Sequence, residues 1–280
     1  MANVSRREFL AAAAAARLRL DHVKGEKVSF RHGERLLFEY RYAASRPKTY
    51  VHPLCAPDGS AITLDGPADH VHHRGVMLAW SDVNGFDFWG EVNPGAHGQM
   101  VHQRFERIGD RHVTAINHWI AEGKVLLIER QTVRALDPGW LEWESELKPA
   151  RERVTLSAEK HVYNGLGVRF AHSLDRGGVL NARGTTDIKQ ANGEAAAWCA
   201  YHGPGPRGHP GGAIFDHPKN PRHPTPFFVM NEPYGYLSAA PTFREPFRLE
   251  PGQSLRLRYA VVAFTGAPGQ LDRLYSKWAS

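Results

Sequence analysis

Cysteine is nearly missing from this chain. Two residues, Cys55 and Cys199, occur among 280, with no Cys-x-x-Cys pair. That argues against a disulfide framework and against a cysteine-type structural zinc site. No apolar run in the sequence approaches the roughly 20 residues that cross a bilayer as a helix, so no membrane span is expected. Long basic runs are missing as well. The 35 Lys and Arg outnumber the 29 Asp and Glu, for a formal charge of +6, but they are scattered. A nucleic-acid footprint would cluster them, so no nucleic-acid partner is expected. Gly-x-Ser-x-Gly, Walker and Rossmann signatures are absent, and no cofactor is expected. The glycine-rich stretch 203–212 makes a poor phosphate cradle, because its prolines lack the N–H donors such a loop supplies.

Helical periodicity is equally scarce. It appears over Gln270 to Trp278, where Leu271, Leu274 and Trp278 fall on one face. The remainder reads as β-structure. Leu36, Phe38, Tyr40 and Tyr42 alternate after a Gly33-Glu34 turn that follows Val28 to Phe30. A second hairpin runs from His112 to Ile120, turns at Glu122-Gly123 and returns from Val125 to Val133. Trp140 to Leu147, Val154 to Ala158 and Leu255 to Val261 are further strands. Residues 203–226 read as a long loop around a short Ala213 to Phe215 strand, and long loops in compact domains are usually functional or disordered. Many strands, many turns and one terminal helix predict an all-β fold, a two-sheet antiparallel sandwich with a short C-terminal helix. A single domain over residues 17–280 is expected, since β-sandwiches of this size are commonly undivided. Residues 1–16 stand apart. Ser5-Arg6-Arg7-Glu8-Phe9-Leu10 and the alanines after it resemble a twin-arginine export signal, which favours a periplasmic location over a cytoplasmic one.

The densest chemistry lies in residues 69–91. This stretch holds His70, His72, His73, Arg74, Asp69, Asp82, Asp87, Glu91, Trp80 and Trp89. Asn84-Gly85 is the favoured pair for a type I′ turn, because both of its positions need φ > 0. A two-residue loop there pairs Val83 with Phe86, Asp82 with Asp87, Ser81 with Phe88 and Trp80 with Trp89. Opposed residues share a sheet face, so Trp80, Asp82, Asp87 and Trp89 are expected together. Two carboxylates set opposite each other need a cation between them or a retained proton. Arg74 and the histidines are the nearest groups able to help. Such a face of carboxylates, cation and flat rings suits a polyhydroxylated ligand.

The Asp69–Glu91 block, Tyr50-Val51-His52-Pro53-Leu54, Pro57-Asp58-Gly59, Gly165 to Phe170 and Asn220 to Phe227 together resemble the bacterial PmoA-like family. The resemblance runs from about Leu18 to Thr265. The family's methane-oxygenase label does not fit a chain without membrane spans. What the resemblance implies is carbohydrate metabolism, often beside a sugar dehydrogenase of the Gfo/Idh/MocA type. The architecture is similar to the galactose-mutarotase supersandwich, whose concave face binds sugars.

Acid/base work on a sugar needs one group to take a proton and one to give it, and His with a carboxylate is the usual solution. His73, His172 and Glu232 are the expected proton-transfer residues. Arg74 and Arg169 are expected to anchor ligand oxygens, with His70, His72, Trp80, Asp82, Asp87, Trp89 and Glu91 completing the substrate contacts. The expectation is a carbohydrate-active enzyme acting on a sugar or oxidised sugar. A non-catalytic carbohydrate-binding protein is the first alternative. The second is a metal-dependent oxygenase, with His70 and His72 on one strand face and Asp69, Asp82, Asp87 or Glu91 adding oxygen ligands. That reading is weaker, because Arg74 would repel a divalent cation, and no metal ligands are assigned.

Overall fold

The computed structural model describes residues 17–91, 97–203, 210–266 and 270–280. The expected export segment at residues 1–16 and most of the glycine–proline run at 203–212 lie outside them. The chain forms the expected all-β antiparallel sandwich. One eight-stranded sheet runs Leu18–Val23, Lys27–His32, Arg35–Arg41, Tyr50–Leu54, Val76–Ala79, Gly165–Arg169, Tyr236–Ala239 and Phe227–Met230. The other runs Gly178–Asn181, Trp198–His202, Gly211–Asp216, Leu255–Phe264, Trp140–Pro149, Lys124–Ala135, His112–Ala121 and Gln99–Ile108. A three-stranded sheet of Phe247–Leu249, Val154–Ser157 and Asp82–Val83 stands beside them. The C-terminal helix spans Leu271–Ala279, and Leu271 packs it on Trp198, Phe215 and Val262 of the second sheet.

Register decides which face of the first sheet is core. Leu78 pairs with Leu166 and Val76 with Val168, while Leu166 pairs with Ala239 and Val168 with Leu237. Opposed side chains share a face, so these six lie together. They point toward the second sheet, as the next inward residues show: Trp80 lies 6.2 Å from Trp119, and Phe170 stacks on Tyr201 at 4.6 Å. Each such side chain, fully buried, stabilises the fold by about 1.5–3 kcal/mol. One carboxylate also lies in this interior. Glu129 accepts hydrogen bonds from Ser145 Oγ (2.5 Å), Trp119 Nε1 (3.1 Å) and Asn117 Nδ2 (3.3 Å), and burial holds its pKa above the ordinary value.

The opposite face of the first sheet carries Met77, Gly167, Arg169, Tyr236 and Ser238, by the same register. Phe228 and Met230 extend it through their pairing with Ser238 and Tyr236. An Arg in the middle of a sheet needs something above it, and the 69–91 segment supplies that cover.

Candidate active site on the outer face of the first sheet

The 69–91 segment does not form the hairpin that the pairing arithmetic predicts. Its turn is right: Asn84 and Gly85 have φ of 53° and 92°, and Val83 and Phe86 exchange backbone hydrogen bonds of 2.8 and 3.1 Å. Beyond that pair the register slips, because Phe88 N donates to Trp80 O and Asp82–Val83 joins Val154–Ser157 instead. Asp82 therefore does not oppose Asp87. Asp82 Oδ1 accepts the Gly85 amide at 2.7 Å, and Asp87 Oδ1 accepts the Trp89 and Gly90 amides at 2.7 and 2.9 Å. Both carboxylates cap turns, the ordinary use of Asp there. The two tryptophans also separate. Trp80 points inward and gives its indole N–H to Thr242 Oγ1 at 3.0 Å, whereas Trp89 packs against Tyr163 and Tyr236 of the outer face.

The histidines sit on turns, not on an extended strand. His70 N donates to Pro67 O and His73 N to His70 O, each at 3.0 Å. Two successive turns bring His70 back over His73, ring on ring at 4.7 Å, with His72 edge-on to both. His70 and His72 thus do not present a shared strand face, and no group of three or more His, Cys, Asp or Glu among the described residues is arranged to hold a metal ion.

Below the turns lies a charged base. Arg74 grips the Glu91 carboxylate with Nε and Nη2 and reaches Asp65 Oδ1 at 3.3 Å, while Tyr50 donates to Asp65 Oδ2 at 2.9 Å. Lys48, fully buried, lies 3.2 Å from Glu91 Oε1 and donates to the Trp89 carbonyl. Burial pushes the Lys48 ammonium pKa down against the pull of Glu91. Arg74 and Glu91, expected as ligand contacts, are paired with each other and tie the segment to the sheet.

Arg169 occupies the centre. It is 0% exposed; its guanidinium lies 3.8 Å over the Tyr234 ring, and Nη2 donates to Asp69 Oδ2 at 3.1 Å. The same Asp69 oxygen meets His70 Nδ1 at 2.9 Å. Partial burial works to raise the Asp69 carboxyl, but the hydrogen bond from His70 and the charge of Arg169 outweigh it and hold it below the ordinary carboxylate value. His73 lies among Tyr234 (5.2 Å), Tyr236 (5.4 Å) and Trp89 (6.3 Å). Burial first, then its histidine neighbours, Arg169 and Lys48, depress its pKa to about 2. Burial, Lys48 and His70 bring His72 to about 4. Both rings are neutral near pH 7.

Several buried polar atoms here have no hydrogen-bond partner among the described residues: His72 Nδ1, His73 Nδ1, Trp89 Nε1, Tyr236 Oη, and both Nε and Nη1 of Arg169. An orphaned buried donor typically costs about 1–3 kcal/mol. Six on one sheet face form the pattern of a site built for a ligand. Gly167 makes room for the Tyr236 phenol, because a Cβ there would collide with its hydroxyl. Gly167→Ala is therefore expected to displace Tyr236 and to lower stability by about 1–3 kcal/mol. Urea unfolding checks this, and an unchanged midpoint would show that the phenol moves freely.

The other two expected proton-transfer residues stand apart from the cluster. His172, 60% exposed at its side chain, lies in a 3₁₀ turn with Nδ1 3.0 Å from Asp175 Oδ2. Glu232, 69% exposed, lies 3.8 Å from Arg176 Nε. Their loops touch, since Asp175 Oδ1 accepts the Gly235 amide, but neither side chain reaches the His73–Arg169 centre by any recorded contact. Sequence reading missed Tyr163, Phe228, Tyr234, Tyr236 and Lys48. Tyr234 and Tyr236 carry no signature; the register that places Tyr236 beside Arg169 is a tertiary fact.

A cavity of about 550 Å³ lies elsewhere, on the outer face of the second sheet, lined by Arg130, Glu144, Lys219, Arg256 and Arg258 among others. Its arginines are paired with Glu106, Glu146 and Glu142, as on a solvated salt-bridged face. The orphaned atoms mark the first-sheet face as the better candidate.

A family model described as a family of unknown function, DUF6807, matches residues 27–279. The chain belongs to that family. DUF6807 membership corrects the PmoA-like resemblance, and the link to a Gfo/Idh/MocA-type dehydrogenase, which rested on that resemblance, goes with it. No curated protein matches this DUF6807 chain. Among solved structures it is similar to the heparan sulfate lyase HepC from Pedobacter heparinus, at 8% identity and a TM-score of 0.45, over 89% of this chain and 37% of that one. It is also similar to a heparinase III, at 8% identity and a TM-score of 0.41, over 90% and 36% of the two chains. A galactose mutarotase related enzyme from Lactobacillus acidophilus is similar at 8% identity and a TM-score of 0.38, over 90% and 98%. The DUF6807 chain thus spans little more than a third of the length of either lyase.

Proposed function

We propose that this chain is a carbohydrate-active enzyme. In this reading a sugar ring binds against the half-buried Tyr163 and Phe228, which pack on the buried Trp89 and Tyr236, and Asp69–His70 moves a proton. The observation that carries it is the convergence of unpartnered polar atoms and aromatic rings on one sheet face. Trp89 lies 4.5 Å from Tyr163, which lies 5.6 Å from Phe228, and Phe228 lies 6.3 Å from Tyr236. Sugars present C–H faces that stack on rings and hydroxyls that pair with directed donors and acceptors, so both halves of the surface are used.

In this reading the base is His70 and not His73. A general base must carry its proton long enough to deliver it, and His73, at about 2, is too acidic when protonated. His70 is better placed. Asp69 holds its Nδ1, which leaves Nε2 to accept a proton, the arrangement that orients a catalytic imidazole. Burial keeps the phenols of Tyr163, Tyr234 and Tyr236 protonated, so they serve as neutral hydrogen-bond donors to sugar oxygens. His73 then serves as a neutral hydrogen-bonding group, and His172 and Glu232 as rim contacts.

Calorimetric binding and turnover on a glycan panel test the reading. His70→Asn is expected to keep affinity within a few-fold and to lower turnover by about 10²–10⁴-fold, the usual contribution of a positioned acid/base group. Wild-type turnover in His70→Asn would sink the assignment. Saturable binding without turnover of any glycan would favour a binding protein on the same face.

A further inference from the structure

We infer that the ligand of this face carries a carboxylate, as a uronic-acid residue of an acidic glycan does, and that Arg169 is its anchor; the inference rests on the carbohydrate reading above. The three cations beneath the site are not in the same condition. Arg74 holds two carboxylates, Glu91 and Asp65, and Lys48 shares Glu91. Arg169 has one recorded carboxylate, Asp69, reached through Nη2, and Asp69 divides itself between Arg169 and His70 while its side chain is 43% exposed. A fully buried guanidinium with half a carboxylate is under-compensated, and Nε and Nη1 are left as pure donors.

The polarity of the remaining orphans points the same way. Trp89 Nε1 can only donate, and the Tyr236 hydroxyl donates readily. The neutral imidazole of His73 can offer an N–H at Nδ1 and adds no competing charge. A neutral sugar hydroxyl brings a donor for every acceptor it offers, so it leaves a donor-rich cradle partly unmatched. A carboxylate brings two oxygens that only accept, fits the planar guanidinium, and makes charge-assisted hydrogen bonds about twice as strong as neutral ones. The aromatic rings beside it take the sugar face, and the carboxylate turns down toward Arg169.

Matched ligands separate this inference from the carbohydrate reading. The full chain is titrated by calorimetry and by saturation-transfer NMR with short oligogalacturonides, their methyl esters and neutral galacto-oligosaccharides, and with the corresponding gluco- and glucurono-series. Saturable binding of an acid form, weakened at least tenfold by esterification and lost in Arg169→Gln, is the expected result. Arg169→Lys keeps the charge without the fork and is expected to bind the acid more weakly than the native protein but more tightly than Arg169→Gln. Thermal melting of both variants confirms that they fold. Should Arg169→Gln fail to fold, the comparison of acid with ester on the native protein decides alone. Equal binding of acid, ester and neutral forms overturns the carboxylate and leaves the sugar reading standing. Binding of none of them overturns both.

Discussion

Arg74→Met is expected to cost about 3–5 kcal/mol of folding stability, the usual penalty for removing one partner of a buried ion pair. The cost comes from what stays behind. Glu91 and Asp65 have side chains only 8% and 12% exposed, and without Arg74 their charges keep Lys48 and the Tyr50 hydroxyl as partners. Methionine replaces the arginine stem, so lost packing contributes little and the effect reads charge. Arg74→Met combined with Glu91→Gln is expected to recover part of the loss, because the second change removes one stranded carboxylate. Urea unfolding of the two variants and the native protein measures both numbers. A loss below about 1 kcal/mol, the range of solvated pairs, would mean that water reaches this base and that Arg74 does not tie the segment to the sheet.

Acid should destabilise the protein through His73. An unfolded chain protonates this residue below its ordinary value of 6.5, whereas in the fold its pKa is about 2. The unfolded state therefore binds the extra proton, and stability falls as pH drops below about 6.5. His73's contribution is complete above that pH. Two pH units lower, at 4.5, about 2.7 kcal/mol of it is gone, at 1.36 kcal/mol per unit. His72, at about 4, adds a nearly equal loss over the same window. His73→Gln cannot titrate, so its stability relative to the native protein should improve by about 2–3 kcal/mol between pH 7.5 and 4.5. Parallel pH profiles for the two proteins would refute the buried neutral imidazole.

Local signals were legible where one short stretch of chain decides the outcome. Alternation announced Arg35–Arg41, whose Phe38 and Tyr40 are fully buried, and the two-residue turn at Asn84-Gly85 follows from the φ its residues tolerate. The 3.6-residue spacing of Leu271 and Leu274 located the terminal helix. Gln99–Ile108 gave no such signal. It is an edge strand with five charged or amide side chains in ten positions, and its partner His112–Ala121 holds it in the sheet. The 69–91 block was recognisable as a dense cluster of polar and aromatic side chains, but its internal geometry was not. Pairing arithmetic assumes that the nearest strand is the partner, and here Val154–Ser157 competes for Asp82–Val83 and wins.

By itself, then, the sequence determined the β class, the turns and the helix, because periodicity and φ preference act over a few residues. Tertiary structure decided everything that depends on which face a residue meets. It turned Trp80 inward and Trp89 outward and put His70 over His73. It also brought Asp69 to Arg169 across 100 residues of chain. Burial and charge set the protonation of these groups, and both come from neighbours that the linear order does not name.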